Sequence, residues 1–268
     1  MLWNVPDRKA SKWIYINSVK MKAKIIIILL AGSSVVFACR NEKKQVLKKD
    51  TIKVIKPEVN KQNKLKTPES AFATMAYEIK DFIPQYYKID METEGDLNRD
   101  GLEDKVVVLI NTRDTTAQRA TLILLKINDA YSLDKKSFSA LEPKYREDGF
   151  QIYDTEDVSI DSTGTLTFQM YSPGPAGNLS SSYKYFKNEL VLINVNTYNM
   201  GAGGHTELDL DLLNGIYEET NTNTMKEDMP SETITKKYKL PKVTFEKSSP
   251  KDIVIEAFNA NKWDVKDK

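Results

Sequence analysis

The chain has 268 residues, of which 40% are hydrophobic and 29% charged, ordinary globular usage with enough apolar surface for a buried core. Its net charge of +1 hides a segregation: residues 40–66 hold 10 basic against 3 acidic side chains, while residues 67–268 hold 23 against 34, a net of −11. An acidic domain repels phosphates, which excludes nucleic acid as a partner, and one cysteine with one histidine excludes an internal disulfide, a Cys/His zinc site and a CxxC redox motif.

Residues 1–20 form no apolar stretch and precede an export signal that opens on its own methionine, so translation is expected to begin at Met21, with 1–20 a misassigned extension. In the signal, Lys22 and Lys24 give a basic start and an apolar run begins at Ile25. Residues 25–38 are 14 in number, short of the roughly 20 that a membrane-spanning helix needs. The run closes on Val36-Phe37-Ala38-Cys39, a small residue before the chain's only cysteine. These four residues resemble the lipobox of bacterial lipoproteins, although Phe37 is bulkier than is usual there. The resemblance implies that 21–38 is a cleaved signal peptide and that Cys39 carries the lipid. Lipidation with two or more acyl chains anchors stably, because each buried methylene contributes roughly 0.8 kcal/mol. Arg40 stands where an Asp would often mean retention at the inner membrane, so the resemblance points to the outer membrane of a double-membraned host.

Residues 39–66 have few apolar side chains, no aromatic and no glycine, and read as a disordered basic tether. Order is expected from Thr67. Thr67 can cap a helix, Pro68 suits its first position, and Phe72, Met75, Ala76 and Ile79 recur at helical spacing, predicting an amphipathic helix that ends before Pro84.

The run Asp96-Leu97-Asn98-Arg99-Asp100-Gly101-Leu102-Glu103-Asp104 then places side-chain oxygens at relative positions 1, 3, 5 and 9, with glycine at position 6 for a sharp turn. Such oxygens can converge on one hard cation, joined by the position-7 carbonyl. The Glu that would close an EF-hand at position 12 is replaced by Val107. With a strand expected to follow, the loop resembles the calcium loops of integrin-type FG-GAP repeats and related exported bacterial proteins. That resemblance implies calcium held by Asp96, Asn98, Asp100, Leu102 (through its carbonyl) and Asp104. The motif occurs once, so no propeller is implied. The role is expected to be structural, with a dissociation constant of roughly 10⁻⁴–10⁻³ M. More loosely, the stretch from Phe82 into this loop looks like uncharacterised bacterial lipoproteins.

From Lys105 on, strands dominate. Apolar runs at 106–110 and 121–127 suit strands covered on both faces, and Asn128-Asp129 marks a turn. Residues 158–160 and 166–170 flank the turn residues 161–164, and 183–186 and 190–193 flank 187–189. Leu208, Leu210 and Leu212 alternate with Glu207, Asp209 and Asp211, a half-buried strand with an acidic outer face. A further strand is expected at 233–240 and a short helix from Ser249-Pro250 to about Ala260. Loops are expected at 172–178, 199–204 and 225–231. The fold class is α+β: one domain, 67–268, mainly an antiparallel β meander with a helix at each end.

No GxSxG, HExxH or phosphate loop is present. His205 beside Glu207 and Asp209 is a weak candidate base, and Glu207, Asp209 and Asp211 a weak second cation site. Tyr171, Tyr183, Tyr185 and Tyr198 can line a glycan or peptide groove. The leading expectation is therefore a non-enzymatic, membrane-anchored envelope lipoprotein that binds a protein or glycan partner. The alternative is a glycan-acting hydrolase using paired carboxylates.

Overall fold

The computed structural model describes residues 72–173 and 176–261, all within the compact unit Asn63–Lys268. The proposed signal, Cys39 and the tether lie outside the described residues, as do the predicted helix start at 67–71 and residues 174–175. No helix among the described residues is long and apolar enough to cross a membrane.

Among the described residues, twelve strands form two antiparallel sheets. The first has the order β1-β5-β4-β3-β2 and is built from β1 (Met75–Ala76), β2 (Tyr87–Gly95), β3 (Asp104–Asn111), β4 (Ala120–Ile127) and β5 (Ala130–Ser137). The second is a seven-stranded meander in chain order: β6 (Thr155–Ile160), β7 (Thr165–Tyr171), β8 (Asn178–Phe186), β9 (Glu189–Gly201), β10 (Gly204–Asp211), β11 (Ile216–Asn223) and β12 (Ser231–Lys237). One helix, α1 (Pro250–Asn261), closes the described chain.

The sheets stack through one core. Val106, Val108 and Ile123 of the first sheet join Val158, Leu166, Phe168, Met170, Val195, Leu208 and Leu210 of the second. The opposite face of the first sheet (Val107, Leu109, Leu122 and Leu124) buries against Phe72, Ile79, Phe82 and Phe138. β3 is thus covered on both sides, which is why its sequence is an unbroken apolar run. Phe245, Ala257 and the half-buried Ile253 and Val254 of the C-terminal segment complete the same core, Phe245 meeting Tyr183 of β8 edge to face.

The N-terminal helix is corrected over its described part. Residues 72–83 hold β1 and a 3-10 turn at Ile79–Phe82, with Met75 59% exposed. The apolar side chains do pack, as the helical spacing suggested. They cover the first sheet from an extended segment, because Met75 and Ala76 pair with Ser132 and Tyr131 of β5. The expected loop at 199–204 is instead a tight hairpin, with only Ala202 and Gly203 between β9 and β10.

Candidate functional site

Three regions bear chemistry. The first is the β2–β3 connection with the Asp-rich run. Arg99 and Gly101 take positive φ (65° and 88°), winding the backbone so that its amides meet its own side chains. Asp96 Oδ1 and Asn98 Oδ1 each accept from the Asp100 N–H at 3.0 Å, Asp96 Oδ2 accepts from Gly101 at 3.0 Å, and Asp100 Oδ1 accepts from Leu102 at 2.9 Å. The β6–β7 turn braces this loop from outside. A Cβ added at Gly164 (φ +72°) would lie 2.9 Å from the Leu97 carbonyl and 3.1 Å from that of Asp96.

Asp104 behaves differently from its neighbours. It is fully buried at the start of β3. Its Oδ2 accepts from the Leu97 and Asn98 N–H groups at 3.0 and 3.3 Å, and its Oδ1 accepts from Lys126 of β4 at 2.9 Å. Burial raises its pKa, and these three amides pull the other way. No ion pair with a cationic side chain is found for it among the described residues. A buried carboxylate is normally paired or coordinates a metal.

The loop therefore brings Asp96, Asn98 and Asp100 together on shared amides, and Asp104 ties its base to the sheet. Among the described residues no three His, Cys, Asp or Glu side chains gather as a metal cage. The predicted set relies on an amide and a carbonyl as well as carboxylates. As a donor set it is all oxygen, the chemistry that suits calcium, and a divalent ion would supply the charge that Asp104 lacks.

The second region is the outer face of the seven-stranded sheet. Strand register lays polar side chains across it in rows. One row runs Asp157, Gln169, Ser180, Asn196, Asp209, Glu218, Thr235. A second runs Ser159, Thr167, Ser182, Asn194, Asp211, Ile216, Lys237. A third links Asn178, Tyr198, Glu207, Thr220 and Thr233, with Tyr171 paired to Thr155 at its far end. Of the four candidate groove tyrosines, only Tyr171 (49% exposed) and the half-buried Tyr198 lie here. Tyr183 is a core residue whose ring meets Phe168 and Phe245 edge to face and whose hydroxyl bonds Ser248 at 2.9 Å. Tyr185 donates to Asp134 on the first sheet. Glu207, Asp209 and Asp211 do share this face. Asp209 accepts from Asn194 Nδ2 at 2.8 Å and Asp211 holds the Asn214 turn, so these two are committed to separate partners. His205 sits on β10 with its Nδ1 2.6 Å from the Tyr198 hydroxyl.

The third region has no signal in the sequence, because its members come from distant segments. Arg119, wholly buried before β4, places Nη1 3.1 Å from Asp90 and 2.8 Å from Glu156, and donates through Nε to the Glu142 carbonyl at 2.8 Å. Lys144 pairs with the same two carboxylates. This cluster bridges β2 of one sheet and β6 of the other. Beside it lies a cavity of about 230 Å³ lined by Glu142, Tyr153, Ser181, Lys251 and Asp252 over Met170 and Leu179. Its polar groups bond one another: Tyr153 donates to Glu142 at 2.5 Å, Lys251 pairs with Glu142, and Ser249 donates to Asp252 at 2.6 Å.

Compared with known proteins, the chain matches no family model, no curated protein and no solved structure.

Proposed function

We propose that this chain is a membrane-anchored envelope lipoprotein whose β-rich domain binds a glycan on the outer face of its seven-stranded sheet. The observation that carries the binding reading is the set of transverse rows on that face. Hydroxyls, amides and carboxylates repeat there at the roughly 4.8 Å strand spacing, with Tyr171 and Tyr198 among them. Sugar hydroxyls match such groups, and an amphipathic tyrosine ring suits the apolar face of a pyranose. Asp157, Glu207, Asp209, Asp211 and Glu218 make the face acidic, favouring a neutral or amine-bearing glycan over an anionic one. Anchoring rests on the lipobox-like residues 36–39, and the basic tether gives the domain reach from the surface.

Retention of the full chain on a panel of insoluble envelope polysaccharides tests this. Binding that falls in Tyr171→Ala and in Asn196→Ala supports the face. Capture that both variants leave unchanged, or capture of a protein alone, refutes it.

In the same reading the Asp96–Asp104 loop holds a structural calcium ion through the Asp96, Asn98, Asp100 and Asp104 side chains and the Leu102 carbonyl. The ion supplies positive charge to a turn of carboxylates and so fixes the entry to β3. Thermal unfolding should shift upward at millimolar calcium relative to chelator, and an unchanged midpoint counts against it.

The hydrolase alternative draws on Glu142 and Asp252 sharing one cavity. New reducing ends that appear with the wild-type chain and vanish with Glu142→Gln would displace the binding reading.

A further inference from the structure

Three of the chain's eight methionines fall at two adjacent hairpin tips: Met200 beside the β9–β10 turn, and Met225 and Met229 between β11 and β12. They are 44%, 81% and 55% exposed, so core packing does not account for them. The tips are joined, since the Thr224 N–H donates to the Gly203 carbonyl at 3.1 Å. The Met225 thioether lies over the β9–β10 turn, its Sδ 3.6 Å from where a Cβ on Gly203 would stand.

Register places Met200 directly opposite His205. Directly paired residues point to the same face with Cβ atoms about 4.5–5.5 Å apart, within reach of one ion. His205 is already oriented. Its Nδ1 meets the Tyr198 hydroxyl at 2.6 Å and the two rings stand edge to face at 5.4 Å, which leaves Nε2 as the uncommitted nitrogen. A ligating histidine characteristically has its other nitrogen held in this way. Met200 and His205 both line an open cleft of about 590 Å³ at this end of the sheet.

We infer that Met200 and His205, with Met225 from the neighbouring tip, form a binding site for a soft univalent cation, copper(I). Thioether sulfur and imidazole nitrogen select soft ions, whereas calcium and magnesium prefer the oxygen donors found at the Asp96 loop. The site shares no residue with the calcium loop and meets the proposed glycan face only at Tyr198, and its test reads metal binding alone. Tyr198 acts as a positioning residue: Nδ1–H donating to its hydroxyl oxygen keeps the Nε2 lone pair free.

Silver(I) is an air-stable probe of the same class. The experiment titrates silver nitrate, in chloride-free buffer, into the full chain carrying Cys39→Ser, which removes the only thiol. The methionine methyl resonances and the His205 ring are followed by NMR. One equivalent should saturate shifts at Met200, Met225 and His205, leave the buried Met170 and the remote Met75 unmoved, and find no competition from calcium. Met200→Leu and His205→Gln should each weaken binding at least tenfold, and Tyr198→Phe should weaken it roughly 10–100-fold as loss of an outer-shell partner does. These residues lie at the end of the sheet and outside its core, so the variants are expected to keep the wild-type fold, which the unshifted core methyls verify. Shifts shared equally by Met75, or an affinity unchanged in both Met200→Leu and His205→Gln, overturn the inference.

Discussion

Asp104 is a buried anion surrounded by amides. Three backbone N–H groups satisfy its oxygens without balancing its charge, and desolvation raises its pKa. The folded state therefore holds the Asp104 proton more tightly than the unfolded chain does. Its contribution to stability is largest below the ordinary carboxylate range and is lost as pH rises through the raised native value. Other carboxylates run the other way: Asp161 and Asp211 are lowered by hydrogen bonds. The readout is therefore the difference between wild type and Asp104→Asn in chelator. Asparagine offers one acceptor oxygen and an N–H₂ where Asp104 accepts from the loop through one oxygen and from β4 through the other. The variant should lose about 1–3 kcal/mol, the cost of leaving a buried amide unpaired. That loss should be greatest at low pH, where the wild-type carboxyl is protonated and unpenalised, and smaller at neutral pH. Calcium should restore the difference at neutral pH by stabilising wild type alone. A wild-type minus variant difference that is flat in pH would remove the buried-charge account.

At the scale of elements, the two sheets are joined by charge as well as by apolar packing. Arg119 touches a carboxylate from β2, another from β6 and a carbonyl between them. Removing it leaves two nearly buried carboxylates, Asp90 and Glu156, to share the single charge of Lys144. Arg119→Leu should therefore destabilise by about 3–5 kcal/mol in urea unfolding, although a leucine fills much of the volume. A loss below about 1 kcal/mol would mark the cluster as solvated.

The elements also differ in how plainly the sequence announces them. β3, β4 and β7 are legible because burial writes itself as an apolar run or a strict alternation. β2 is not. A bulge between Ile89 and Met91 breaks its alternation, leaving Ile89 37% exposed and turning Asp90 inward to Arg119. β11 is masked by Glu219, buried where an apolar residue is expected and held by Tyr217 and Asn221. β5 is half-buried at nearly every position, so it has no period to read. The segment after Phe72 shows the opposite failure, since spacings of three and four fit a helix and an extended cover equally. Of the site, the Asp-rich loop is legible because its ligand set is contiguous. The polar rows and the Met200–His205 pair are not, because they exist only once strand register is known.

At the scale of the whole molecule, the proposed anchor makes location a property of one sulfur. Cys39→Ser should appear in the soluble fraction with the same near-ultraviolet circular dichroism as the wild-type chain, since the described core begins at Phe72. Continued sedimentation with membranes after a high-salt wash would mean that another part of the chain holds it there.

The order of the seven-stranded sheet has one further consequence. Within the sheet from β6 to β12, each strand's sheet partners are its neighbours in the chain. Each closure spans a short loop, and its entropic cost is correspondingly small. In the export that the proposed signal implies, each strand from β7 onward, delivered in an N-to-C direction, finds its earlier partner already outside. Phe245 and α1, which complete the core over that sheet, emerge after all seven strands. Topology thus sets a schedule: the scaffold can be hydrogen-bonded while its apolar face still waits for the closing segment, and Tyr183, whose ring Phe245 meets edge to face, is left bare in that interval.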